Sequence, residues 1–187
     1  DFRFGADREG DLALMQEQGS RHGFEAVPTP TEVARGDRVS STRIREALEV
    51  ADFGLARELL GRPYTISGKV IYGRQLGPPI GTPTANLKLP RRRAPLSGVS
   101  AVQVSGAGLV DALGVANVGT RPTVGESIMA NLEVHLLDRE IELYGQHIDV
   151  CFRHKLRDEQ KFDSVEDLKQ NIARDIANTR AWFAGRR

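Results

Sequence analysis

At Gly61-Arg62-Pro63 the chain changes its apolar period, and that change limits the possible folds more than any other feature of the sequence. Before it, "RVSSTRIREALEVADFGLARELLG" (38–61) spaces Ile44, Leu48, Leu55 and Leu59 along the stripe of one or two helices. Ser40 and Ser41 are suited to capping the first turn, Gly61 to closing the last, and Pro63 cannot continue it. After it the period is two. "YTISGKVIYG" (64–73), "SAVQVSG" (100–106), "LVDALGVANVG" (109–119), "ANLEVHLLD" (130–138) and "QHIDVCFRHKL" (146–156) are strand candidates separated by glycine, proline and charged turns. Strands so spaced predict a β-barrel or sandwich rather than a βαβ fold.

The end is helical again. In "DSVEDLKQNIARDIANTRAWF" (163–183) Ser164 and Asp167 form a capping-box pattern, and Val165, Leu168, Ile172, Ile176 and Phe183 share one face. A closed sheet with a helix packed on it is the simplest architecture. The front reads as a helix around Leu12 and Met15 and then a short strand, Phe24–Val27, closed by Pro28 and Pro30. The two styles of sequence divide the chain into residues 1–62 and 63–187.

Bulk properties narrow the function. A formal net charge of +1 argues against a generic nucleic-acid binder, which carries a strong basic bias. One cysteine, Cys151, excludes internal disulfides and a cysteine-based zinc site, and suits a reducing compartment. No apolar run approaches the roughly 20 residues of a membrane helix, and no signal peptide is expected from the charged start. A cytoplasmic protein acting on small molecules, away from membranes and nucleic acid, is the expectation. Oligomeric state leaves no mark in the sequence.

Four groups of residues have chemistry to offer. Gly68, Gly73, Gly77 and Gly81 punctuate the approach to "PTAN" (83–86); glycine allows close backbone approach to phosphate, yet also makes ordinary hairpins, and no Walker pattern is present. On a strand Thr84 and Asn86 project to the same face. Their oxygens can be hard ligands for Mg²⁺, or can cap local backbone; residue type alone leaves both open. Glu133 alternates with Leu132 and Val134 and shares a face with His135. It is a general base if it faces Thr84 and Asn86, and otherwise one polar residue of a surface strand. Finally, Ser41, Thr42, Arg43 and Arg45 stand at a helix start, where phosphate is attracted and where ordinary capping also occurs. Arg91–Arg93 reads as a solvated turn.

Taken in order, these segments resemble the bacterial bifunctional riboflavin kinase/FMN adenylyltransferase family. "PTAN" is similar to its magnesium- and nucleotide-binding signature, and "GVANVGTRPTVG" (114–125), "LEVHLLD" (132–138), "LYGQHIDV" (143–150) and "LRDEQKF" (156–162) follow in the family's order. "DFRFGADREGD" (1–11) and "SSTRIREAL" (40–48) resemble the last part of the adenylyltransferase module. The resemblance implies a small antiparallel, Greek-key-like β-barrel with a C-terminal helix, preceded by an α/β remnant of a nucleotidyltransferase domain. It implies transfer of the γ-phosphoryl of ATP to the 5′-hydroxyl of riboflavin, with Mg²⁺. Carried over, Thr84 and Asn86 hold Mg²⁺ and the nucleotide phosphates, and Glu133 is the base. Gly73 and Gly81 lie in the loop over the phosphates, with Tyr144 near the nucleotide. Arg157, Gln160 and Phe162 form the flavin side. Ser41, Thr42 and Arg45 are what remains of the adenylyltransferase's phosphate site.

Three departures stand out. Thr82 precedes the "PTAN" proline and Ser100 follows Val99, where the family carries bulky apolar and aromatic residues; both changes put stability or flavin packing in question. His22, His135, His147 and His154 form no HxGH-type nucleotidyltransferase motif, so the chain as given is expected not to make FAD, although an intact parent would. The competing reading is a non-catalytic flavin-binding module. The helices of residues 1–62, without a parent sheet, are expected to be mobile or to pack adventitiously.

Overall fold

A computed structural model of the chain describes residues 3–72, 84–89, 94–122, 128–139 and 141–185. The chain forms two compact units, Asp1–Val39 and Ser40–Arg187. Compactness therefore divides it earlier than its apolar period does.

The first unit holds a 3-10 turn (Ala6–Arg8), helix α1 (Leu12–His22) and a two-residue ribbon, β1 (Val33–Ala34) with β2 (Asp37–Arg38). Asp11 caps α1, accepting from the Leu14 N–H at 3.0 Å. The strand expected at Phe24–Val27 does not form. Gly23 ends α1 in the left-handed region at φ 75°, and the Phe24 N–H turns back to the Gly19 carbonyl at 3.0 Å. That helix-terminating motif commits the Phe24 N–H locally instead of to a sheet.

In the second unit, α2 (Ser41–Glu49) and α3 (Phe53–Leu60) are separate helices. Ser40 caps α2 through the Arg43 N–H at 3.2 Å; Asp52 caps α3 through the Leu55 N–H at 2.8 Å, restarting the helix after Ala51. Their apolar faces do not lack a partner. Ala47, Leu48 and Ala56 belong to the same buried cluster as the strands that follow, and Phe53 meets Phe152 at 6.0 Å between ring centroids. A face with two leucines and two alanines buries against whatever apolar surface is adjacent, and here that is the barrel.

The barrel is closed and antiparallel. Its strands are β3 (Thr65–Ile71), β4 (Ala85–Lys88), β5 (Gly98–Gly106), β6 (Leu109–Pro122), β7 (Ile128–Leu136) and β8 (His147–Arg157), in the order β3-β4-β7-β6-β5-β8. Alternation fills its interior: Leu87, Leu132 and Val118 are cross-strand neighbours on β4, β7 and β6, and all are buried. Helix α4 (Val165–Ala184) lies against β5, β6 and β8. Ser164 caps it, accepting from the Asp167 N–H at 3.0 Å and donating its hydroxyl to the Asp167 carboxylate at 2.6 Å. Trp182 stacks on His154 of β8 at 5.3 Å, and Arg180 reaches Asp138 at 2.6 Å. These contacts hold the helix over one wall of the barrel. That wall carries the site.

Candidate active site

Strand β7 is apolar on one side and polar on the other. Leu132, Val134 and Leu136 fill the core, so Glu133 and His135 project outward from the barrel. Register supplies their neighbours. Asn86 of β4 lies opposite Glu133 on one side, and Asn117 of β6 lies opposite it on the other. Asn117 in turn pairs with Val99 of β5. Directly opposed residues of antiparallel strands share a face, with Cβ atoms about 4.5–5.5 Å apart. The wall thus presents a carboxylate between two carboxamides.

A cavity of about 240 Å³ lies over this wall. Val99, Val115, Asn117, Glu133 and His135 line its barrel side; Leu168, Ile172, Asp175 and Ile176 of α4 line the other. The segment after β8 closes it with Arg157, Glu159, Gln160 and Phe162. Thr84 lines this cavity and also a second one of about 110 Å³, together with Val70, Leu143 and Tyr144. Thr84 is shared between the two. Tyr144 stacks on Tyr72 with ring centroids 4.1 Å apart.

Hydrogen bonds fix several of these groups. The Asn131 amide donates to Glu133 Oε1 at 3.1 Å. Arg157 donates Nε and Nη2 to the Asp175 carboxylate at 3.1 and 2.8 Å, donates Nη1 to the Asp158 carbonyl at 3.0 Å, and lies 5.5 Å from the Phe162 ring centroid. Lys155 pairs with Asp158 at 2.5 Å, and that hydrogen bond, then the lysine's charge, holds the Asp158 carboxyl below the usual carboxylate range. Asn86 is buried, and its amide nitrogen donates to the Thr84 carbonyl at 3.4 Å. Its Oδ1, like Asn117 Oδ1, is buried with no hydrogen-bond partner among the described residues. The local bond expected of a capping residue takes the nitrogen and leaves the oxygen.

The structure therefore gathers Thr84, Glu133, Arg157, Gln160 and Phe162 around one cavity and puts Tyr144 in the cavity next to it. Asn86 lines neither cavity; it sits beside Glu133 in the wall. Gly73, Gly81 and Thr82 lie outside the described residues. Ser41, Thr42 and Arg45 occupy the exposed first turns of α2 and are not in the lining of either cavity. Asn117, Glu159 and Asp175 were not legible as site residues. Only Asn117 carried a signal, as a carboxamide between Ala116 and Val118 on an alternating strand.

A closed barrel with a roofed cavity on its outer wall has the concave form in which small-molecule sites are usually built. The chain belongs to the riboflavin kinase family, whose profile, described as Flavokinase, matches residues 60–183. It is 51% identical over 183 residues to the bifunctional riboflavin kinase/FMN adenylyltransferase of Escherichia coli K12, covering 98% of this chain and 58% of that protein. Its identity to the Pseudomonas fluorescens protein of the same name is 50% over 187 residues, covering 98% and 59%. A solved Streptococcus pneumoniae structure described as a macrolide-efflux protein matches with a TM-score of 0.72 and 32% identity, over 97% of this chain and 58% of that one. The chain thus spans about three fifths of the length of these relatives. Among the described residues no helix is long and apolar enough to cross a membrane.

Proposed function

We propose that this chain transfers the γ-phosphoryl group of ATP to the 5′-hydroxyl of riboflavin, giving FMN and ADP. The observation that carries the reading is the placement of Glu133 beside Asn86, on a wall where Thr84 is common to two cavities. A two-substrate transfer needs two pockets meeting at the reacting atoms, and chiefly positioning and charge neutralisation there. The cavity with Glu133, Arg157, Gln160 and Phe162 takes the flavin; the one with Tyr144 takes the nucleotide. Glu133 accepts the proton of the ribityl 5′-hydroxyl, and Asn131 holds its carboxylate for that task. Arg157 and Phe162, stacked on each other, offer a planar edge to the flavin ring.

Mg²⁺ fits the residues present. The buried, unpartnered Asn86 Oδ1 is a hard oxygen donor with Thr84 two residues away, and Mg²⁺ is commonly held by few protein ligands plus substrate phosphates. Bound there, it would neutralise charge on the transferring phosphates. Asn86 and Thr84 contribute by fixing where those phosphates lie against Glu133.

Residues 1–62 are, in this reading, the tail of an FMN adenylyltransferase module, and 63–187 the kinase. A chain of the relatives' full length would then also convert FMN to FAD. Riboflavin and ATP are the partners, in the cytoplasm. A non-catalytic flavin module has no need of an oriented carboxylate between two carboxamides. The test is incubation with riboflavin, ATP and Mg²⁺, with FMN and ADP separated chromatographically. Glu133→Gln is expected to lower kcat by about 10²–10⁴-fold while riboflavin still binds. FMN formation at the wild-type rate removes Glu133 as the base, and flavin binding without ADP release restores the non-catalytic reading.

A further inference from the structure

We infer that Asn117 is a substrate-positioning residue whose carboxamide oxygen accepts a hydrogen bond from a secondary hydroxyl of the ribityl chain. The inference rests on the kinase reading above and names a contact that reading does not require. Asn117 lies directly across from Glu133 and lines the same cavity. Its Oδ1 is buried and has no hydrogen-bond partner among the described residues. A buried carbonyl oxygen without a donor is costly to hold, so such a group beside a cavity marks where a ligand's donor belongs.

Geometry then selects the donor. With Cβ atoms about 4.5–5.5 Å apart, Asn117 and Glu133 reach atoms only a few ångströms from one another. If Glu133 meets the 5′-hydroxyl, Asn117 meets the neighbouring hydroxyls of the same chain. The ring N–H of the flavin lies at the far end of the tricycle, beyond that reach. On the other side of Asn117 the wall is Val99, which is buried and has no polar side chain. The wall therefore changes from apolar to hydroxyl-binding at Asn117, where a flavin changes from ring to polyol. Asn117 would hold the chain extended and set its last hydroxyl against Glu133.

The test compares two ligands that differ only in this chain. Riboflavin carries the ribityl group; lumiflavin has the same ring with a methyl in its place. Each is titrated into wild type and Asn117→Ala, following flavin fluorescence. Lumiflavin affinity is expected to be unchanged, while riboflavin binds about tenfold more weakly, equivalent to ~1.4 kcal/mol. Equal weakening of both, or of neither, overturns the inference. Should Asn117→Ala not fold, Asn117→Leu decides: a side chain of similar size without the acceptor is expected to weaken riboflavin about tenfold and leave lumiflavin unchanged, and an equal effect on both overturns the assignment. A wild type that binds lumiflavin and riboflavin equally well and makes no FMN refutes the kinase reading itself, a result separate from loss of the Asn117 effect alone.

Discussion

Asp175 of α4 holds Arg157, at the end of β8, in a forked ion pair, with the guanidinium Nη2 2.8 Å from the carboxylate. The pair ties the roof of the cavity to its flank. Asp175 is only 5% exposed, and Arg157 is the partner its carboxylate has among the described residues.

Removing the carboxylate leaves the guanidinium underneath the helix unpaired. Asp175→Ala is expected to destabilise the protein by about 3 kcal/mol, read from the urea midpoint at unchanged slope. Arg157 would also lose its orientation over Phe162, so the KM for riboflavin should rise more than kcat falls. A variant as stable as wild type would show that the pair contributes nothing to holding α4 on the barrel.

The same helix shows what the sequence could and could not reveal. Its capping box and length were readable, and Leu168, Ile172 and Ile176 do line the cavity as one face. Val165, counted on that face, is 61% exposed, whereas Asp175 and Thr179 are buried. Apolar periodicity finds the face of a helix but passes over a polar residue buried by pairing. Strands behaved alike. Alternation put Glu133 with His135, because a period of two fixes faces within one strand. Which strand lies beside which depends on contacts far apart in sequence, so the opposition of Asn86, Glu133 and Asn117 became visible only in the barrel. The packing of residues 40–62 was hidden for a related reason. Their stripe was plain, but surface that covers it comes from β8, where Phe152 meets Phe53.

In the proposed reading Asn86 turns its unpartnered oxygen to Mg²⁺, while its nitrogen donates to the Thr84 carbonyl. Asn86→Ala should therefore raise the Mg²⁺ concentration for half-maximal FMN formation by about tenfold, the loss of one ~1.4 kcal/mol contact. Removing Mg²⁺ with a chelator should abolish the activity of both proteins. If the two Mg²⁺ curves coincide, Asn86 is a capping residue and nothing more.

Ser100 stands inside the barrel, fully buried, next to Ala116 on β6. Its hydroxyl has no hydrogen-bond partner among the described residues. A buried hydroxyl without a partner costs about 1–3 kcal/mol, and removing it leaves only a small void. Ser100→Ala is thus expected to stabilise the protein by about 1 kcal/mol, a rise of a few degrees in Tm, with kcat unchanged. A lower Tm would mean that the hydroxyl is satisfied in solution, by water or by a shifted side chain.

Gly98 begins β5 with φ at 91°, and a Cβ placed there would stand 2.5 Å from the Arg157 carbonyl oxygen and 3.1 Å from Asp158 Cα. Both objections to a side chain apply together: the backbone conformation is one that L residues avoid, and the neighbour is main chain, which cannot rotate away. The cost falls on the segment that carries Arg157, Gln160 and Phe162 into the cavity. Gly98→Ala is accordingly expected to lose more than about 2 kcal/mol of stability, beyond the cost of backbone strain alone. Its riboflavin affinity should drop even at temperatures where the barrel remains folded. Substitution at Gly108 makes the control. That glycine also has a positive φ, 82°, but no atom stands within 4 Å of its would-be Cβ, so Gly108→Ala pays for strain alone. Stability loss in both variants with weaker riboflavin binding only in Gly98→Ala would show that the close approach of β5 to Arg157 shapes the flavin side of the cavity; equal binding in both would show that it does not.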